Sequence, residues 1–273
     1  MIFHNKDPKF VVAIVSIAFF AQLHAVNARA DEATPNMEAA QKTESAPPAQ
    51  FDDDWHFLVA IPLWAPSISG DLQTPRFPDI PVNASFSDII SHFTFGVMAH
   101  AEARKSRIGF GLDLLYVNLN DTLETNRSIP ALQNFSLGLK QIFAEGFTFY
   151  RVIQDGDARN PYLFDLLAGV RYYWTEATIN TLSATLDWAD LMLGLRGQIP
   201  LGDHFNVRGR SDFAFIGSKF TWNLIGEAAW VPSDRWTFSA GYRAMNIDYE
   251  NNSTQRIWNL NYHGPVLTAA LSW

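Results

Sequence analysis

Residues Phe93 to Arg104 read FTFGVMAHAEAR, and their side chains divide by parity. Phe93, Phe95, Val97, Ala99, Ala101 and Ala103 fall on one side; Thr94, Gly96, Met98, His100, Glu102 and Arg104 fall on the other. A period of two belongs to the β-strand, whose successive side chains point to opposite faces. The split recurs along the chain. Leu166, Val170 and Tyr172 oppose Asp165, Gly169 and Arg171; Leu191, Leu193 and Leu195 oppose Asp190, Gly194 and Arg196. Trp222, Leu224 and Trp230 oppose Thr221, Asn223 and Glu227; Trp236, Phe238 and Tyr242 oppose Ser239, Gly241 and Arg243.

About ten such segments follow one another, near 55–65, 93–104, 108–118, 134–151, 161–174, 188–199, 205–214, 220–230, 236–249 and 256–273. Long connections (66–92, 119–133, 175–187) tend to alternate with short ones (104–107, 200–204, 231–235). That pattern predicts an all-β fold, an antiparallel transmembrane up-and-down barrel of about ten strands, with eight or twelve compatible with the same spacing. Short turns would lie on the periplasmic side and long loops outside the cell.

The nine tryptophans are Trp55, Trp64, Trp174, Trp188, Trp222, Trp230, Trp236, Trp258 and Trp273. Each falls at or near a strand end. Amphipathic rings concentrate at the two membrane–water interfaces, so all nine are expected in two girdles. Trp55, Trp230, Trp236 and Trp273 map to the periplasmic rim and the other five to the extracellular rim. The closing stretch Leu267, Ala269, Leu271, Trp273 reads as a lipid-facing strand with an aromatic end.

The segments FLVAIPLWAPSISGDL, FSDII, EARKSRIGFGLDLLYVNL, WADLMLGLRGQIPL, SKFTWNL and DRWTFSAGYRAMNIDY resemble a broad proteobacterial family of small outer-membrane β-barrel proteins, over roughly residues 55–273. The terminal aromatic also resembles the C-terminal signal of bacterial outer-membrane proteins, with Trp where Phe is usual. The resemblance implies a barrel in the bacterial outer membrane. It also implies outer-membrane lipid as surroundings, and periplasmic chaperones and the barrel-assembly machinery as partners engaging the last strand. It implies no catalytic residue.

Ahead of the strands, Lys6 and Lys9 precede the apolar run Phe10–Phe20, and Ala28-Arg29-Ala30 supplies a small-x-small site. Residues 1–30 therefore read as a cleaved export signal. Residues 31–54, rich in Ala, Pro and acidic residues, read as a disordered linker. Residues 55–273 are the barrel. The formal net charge of −8 argues against a nucleic-acid binder, and the lack of cysteine excludes disulfides, thiol nucleophiles and thiolate metal sites.

The faces opposite the apolar ones carry Glu102, Asp113, Glu145, Asp165, Arg171, Asp190, Arg196, Arg208, Arg210, Asp212, Glu227 and Arg243. In a barrel this small, inward side chains fill most of the lumen. Acids and arginines are nearly balanced, and buried charges must be paired or solvated. An interior ion-pair network is expected, with an arginine ladder selecting anions as the alternative. Gly169, Gly194 and Gly241 each lie two residues before an inward arginine, and are expected to leave room for its guanidinium.

Pro62 in the first strand and Pro265 in the last lack the N–H that a ladder needs. Placing Trp55 level with Trp273 sets Pro62 beside about residue 266. The closing seam is expected to be weak there, through a bulge or an opening toward lipid. No metal spacing or phosphate loop is visible, and no cofactor is implied. His100 and Glu102 point inward together, and Ser67, Ser69 and Ser87 lie in one connection with His92; neither group makes a recognisable triad. The expected role is non-enzymatic: porin-like or structural, with a route for small solutes. Alternatives are a lipid- or peptide-modifying barrel enzyme, and an adhesin or receptor using the 66–92 connection, where FSDII would form a capped short helix.

Overall fold

The computed structural model describes residues 51, 53–74, 77–123, 135–179, 182–251 and 256–273. The export signal and nearly all of the linker lie outside the described residues. The elements are β1 (Trp55–Trp64), β2 (Ser67–Thr74), β3 (Phe77–Ala84), α1 (Phe86–Ser91), β4 (Phe93–Lys105), β5 (Ile108–Leu123), β6 (Phe135–Asp155), β7 (Tyr162–Ile179), β8 (Leu182–Pro200), β9 (Phe205–Phe215), β10 (Phe220–Trp230), β11 (Trp236–Asn251) and β12 (Arg256–Ser272).

Ten strands close a ring. β4 through β12 pair antiparallel with their chain neighbours, and β1 joins β4 on one side and β12 on the other. Sequence parity sorts the two faces of this ring. Leu112, Leu166, Leu191, Phe238 and Leu267 point outward and exposed; Asp165, Arg171 and Asp212 point inward and are buried. Each large apolar side chain left in water would forgo roughly 1.5–3 kcal/mol, so the continuous outer belt belongs against lipid. Closure is what makes that possible, because it pairs the strand edges around the ring, with one interruption between β1 and β4.

β2 and β3 lie outside the ring. In place of an irregular 66–92 connection, the chain forms a hairpin and a helix. β2 prolongs β1 along the same edge of β12. Trp64 faces Val266 and, after a break at Ala65–Pro66, Ser67 faces His263 with no change of register. β3 folds back on β2, with Ile68 opposite Ala84. α1 is held by a capping box: the Ser85 hydroxyl accepts from the Asp88 N–H at 3.3 Å, and the Asp88 carboxylate accepts from the Ser85 N–H at 2.9 Å. The Ser85 hydroxyl, donating to the Asp88 carboxylate at 2.6 Å, and then the Ser85 N–H hold this exposed carboxyl below its ordinary pKa.

The seam differs from expectation. Phe57 and Trp273 exchange both backbone hydrogen bonds, at 2.8 and 3.0 Å, and the Ala65 N–H donates to the Pro265 carbonyl at 3.0 Å. Pairing between them is unbroken from Leu58–Ser272 to Trp64–Val266, which sets Pro62 opposite Thr268, two residues from the expected level. Odd residues of β1 thus bond to β12, and the even-numbered Pro62 turns its missing N–H toward β4. There the ladder does stop: the last β1–β4 pair is Ala60–His100. Pro265 does lie on the seam, at the end of β1, but the break lies on the opposite side of β1.

Candidate functional site: the filled lumen

The inward side chains form two layers. In the periplasmic half, one chain of ion pairs crosses the lumen. Arg151 holds Asp165 through two bonds of 2.9 and 3.2 Å, and Arg196 Nε reaches the same carboxylate at 2.9 Å. Arg196 also grips Glu102 through both terminal nitrogens. His100 bridges Glu102 (Nε2, 3.0 Å) to Asp113 (Nδ1, 2.7 Å). Arg210 then spreads over Asp113 (3.0 Å), Glu145 (2.5 Å) and Asp212 (2.8 Å). Arg171, fully buried, closes the cluster by donating to Glu145 (2.7 Å) and Asp212 (2.5 Å). Asn223 extends it, donating to Asp212 at 2.9 Å and accepting from Arg243 Nε at 2.8 Å.

Parity explains why these groups meet. β4 through β11 each contribute, and residues level across neighbouring strands share the inward face: Asp113 stands opposite Glu145, which stands opposite Arg171. A second group lies nearer the seam. Arg208 donates to Glu227 (2.9 Å) and Ser239 (2.6 Å), while Ser239 and Thr268 donate to the other oxygen of Glu227.

Asp190 is not a member of either group. Although fully buried, it accepts the Ser218 N–H (2.6 Å) and hydroxyl (2.7 Å), and so anchors the turn between β9 and β10. The glycines also act differently from expectation. A Cβ at Gly194 would lie 2.6 Å from the Asp212 Cβ, and one at Gly241 would lie 2.0 Å from the Gly226 carbonyl. They admit the neighbouring strand and the stem of its carboxylate, not the arginine two residues on.

In the extracellular half the filling is aromatic. Trp64, Trp188 and Trp258 were expected in the outer girdle; they point inward and are buried. Parity alone required this: Trp188 shares its face with Asp190 and Arg196, and Trp258 with Tyr262 and Val266. Position along the strand had outweighed it. Tyr173, Trp188 and Tyr249 stack with centroids 4.7 and 4.3 Å apart, and Phe143 meets Tyr173 and Tyr262 edge-on. Met245, Ile247, Leu260 and Val266 complete the plug. Arg243 joins the layers, its guanidinium 4.5 Å over the Trp64 ring. The other six tryptophans lie on the outward face. At the periplasmic rim Phe57 stacks on both Trp55 and Trp273, and Phe238 on Trp236.

The space left between the layers is small. A cavity of about 260 Å³ is bordered by Glu102, Arg196, Arg208, Arg210, Glu227 and Arg243. That is below the usual range for small-molecule sites. His100 spends both ring nitrogens on carboxylates, which leaves neither for a nucleophile.

No family model matches the sequence, and no curated protein matches it. Several solved structures are similar in shape. The outer-membrane protease OmpT from Escherichia coli is 10% identical with a TM-score of 0.47, over 84% of this chain and 99% of that one. Neisserial surface protein A is 12% identical with a TM-score of 0.31, over 80% and 95%. The translocator domain of the autotransporter NalP from Neisseria meningitidis is 10% identical with a TM-score of 0.36, over 96% and 97%. The closed, even-stranded ring and its apolar belt make this chain an outer-membrane β-barrel.

Proposed function

We propose that the protein is a structural barrel of the Gram-negative envelope, a member of the small proteobacterial group it resembles, with a filled lumen in place of an open pore. The observation that supports this most is the stacking of two different fillings on one axis. Ions meet the aromatic plug; apolar solutes meet four arginines tied to five carboxylates, with Arg243 bonded to Asn223. An anion-selecting ladder needs arginines with spare capacity, and Arg151, Arg196 and Arg210 each engage all three guanidinium nitrogens, while Arg171 keeps one unpartnered nitrogen in a fully buried position. The role is non-enzymatic in this reading, and assembly proceeds through periplasmic chaperones and the barrel-assembly machinery acting on β12.

The test is swelling of liposomes loaded with folded protein and challenged with small sugars and amino acids. Swelling no faster than in protein-free vesicles is expected. Swelling graded by solute size would establish a pore.

A second reading has its own support. The β2–β3 hairpin stands outside the ring, and β3 ends the sheet. Such an edge can accept a strand from a partner. Deleting residues 67–84 and joining the ends with a short linker would then abolish surface recognition while leaving the barrel folded. Unchanged recognition by that variant would remove this reading.

A further inference from the structure

The break beside Pro62 is more than a missing hydrogen bond. Past the Ala60–His100 pair, β1 has no backbone partner on its β4 side, while β4 continues up to Phe93 paired only with β5. The Trp64 N–H, which a regular ladder would satisfy with a carbonyl, is met by the Met98 sulfur at 3.4 Å. A side chain therefore closes this part of the wall. It is an unbranched thioether with three rotatable bonds, the apolar side chain best able to move aside and return.

Around this point lies a cavity of about 430 Å³ whose lining residues come from both faces of the wall. Its outer lining includes Leu63, Val97 and Leu267, all on the lipid-facing belt and exposed. Its inner lining includes Phe143 and Tyr262, buried members of the aromatic plug. In an intact barrel wall these two sets are separated by a hydrogen-bonded ladder. Phe86, Ile89 and Ile90 of α1 lie over the mouth, two of them exposed, as suits a short segment at the membrane interface.

We propose that this gap between β1 and β4 is a lateral binding port, which takes one acyl chain of an outer-leaflet lipid from the membrane into the aromatic plug. The occupant follows from the position and shape of the site. The mouth opens in the apolar belt, where hydrocarbon is the solvent. It lies about nine residues above the periplasmic girdle at Trp55, so strand rise places it in the outer leaflet. The walls are almost wholly apolar. The aperture is a single interrupted strand pairing, closed by the flexible Met98 side chain, which suits one flexible chain.

The proposal rests on the barrel being membrane-embedded, and one experiment separates the two. Folded protein is reconstituted in vesicles of phosphatidylethanolamine carrying a diazirine near the end of one acyl chain. It is irradiated, and the labelled residues are mapped by mass spectrometry. Label on Met98, Phe143 or Tyr262, in addition to outward residues such as Leu112 and Leu193, is expected. Met98→Ala, which removes the closing side chain, should raise the inner label. Pro62→Val, which restores the N–H and lets β1 pair further along β4, should lose it while the outer label stays. Label confined to outward residues in wild type and in Met98→Ala would overturn the port. Absence of label from outward residues as well would overturn the membrane-spanning fold itself.

Discussion

Arg210 holds three carboxylates from three strands, and two of them, Glu145 and Asp212, are buried and cannot re-solvate. Removing one partner of a buried charge cluster costs more than the pair contributes, about 3–5 kcal/mol, because the remaining charges stay buried. Arg210→Met is therefore expected to lower resistance to urea sharply, read from the loss of the compact, heat-modifiable band. Arg208→Met should cost much less. Arg208 is about a quarter exposed, and Glu227 keeps its bonds to Ser239 and Thr268. Equal losses would mean that burial does not set the cost. These long-range partners were invisible in the sequence. The set of inward charges was legible from parity, but which of them touch depends on ring closure, as with Arg196 and Glu102, 94 residues apart.

At the scale of elements, the turn between β9 and β10 carries an unusual residue. Ile216 has φ of +99°, a conformation that a β-branched side chain resists. It persists because Asp190 binds both the N–H and the hydroxyl of Ser218 two residues on. Ile216→Gly is expected to stabilise the turn by about 1 kcal/mol. Asp190→Ala should instead loosen it, measured as faster amide exchange at Ser218. Slower or unchanged exchange there would contradict the anchoring role. α1 depends on its cap in a pH-sensitive way. The folded Asp88 carboxyl lies below its unfolded pKa, so its contribution is full above the unfolded value and is lost as pH falls through the folded one. Protection of the Ser85 amide, the intrinsic exchange rate divided by the observed one at the same pH, should therefore fall on acidification, and Asp88→Asn should flatten that dependence.

The same scale shows where sequence reading ran out. Alternation in 93–104 and 161–174 identified strands and faces with little ambiguity, since one face meets lipid and the other charge. The β2–β3 hairpin gave no such signal. Pro66 precedes it and Pro75, Pro78 and Pro81 interrupt it, and an edge hairpin outside the ring needs no alternation. The short helix was legible in FSDII, while its cap, Ser85, lies one residue before that stretch.

For the whole molecule, the ring and its two-layer filling belong together. The outer belt specifies a membrane, closure satisfies the backbone within it except where β1 leaves β4, and the narrow lumen that a ten-stranded ring leaves is what the charges and rings occupy. Pairing of the inward charges, and the stacking of Trp188 between Tyr173 and Tyr249, are what the proposed filled lumen rests on. The most direct check is single-channel recording in planar bilayers, from a preparation whose folding is verified by heat-dependent gel mobility. A filled barrel leaves the bilayer without stable unitary steps. Reproducible steps from folded protein would contradict the filled lumen and return Arg196, Arg210 and Arg243 to the role of selectivity residues.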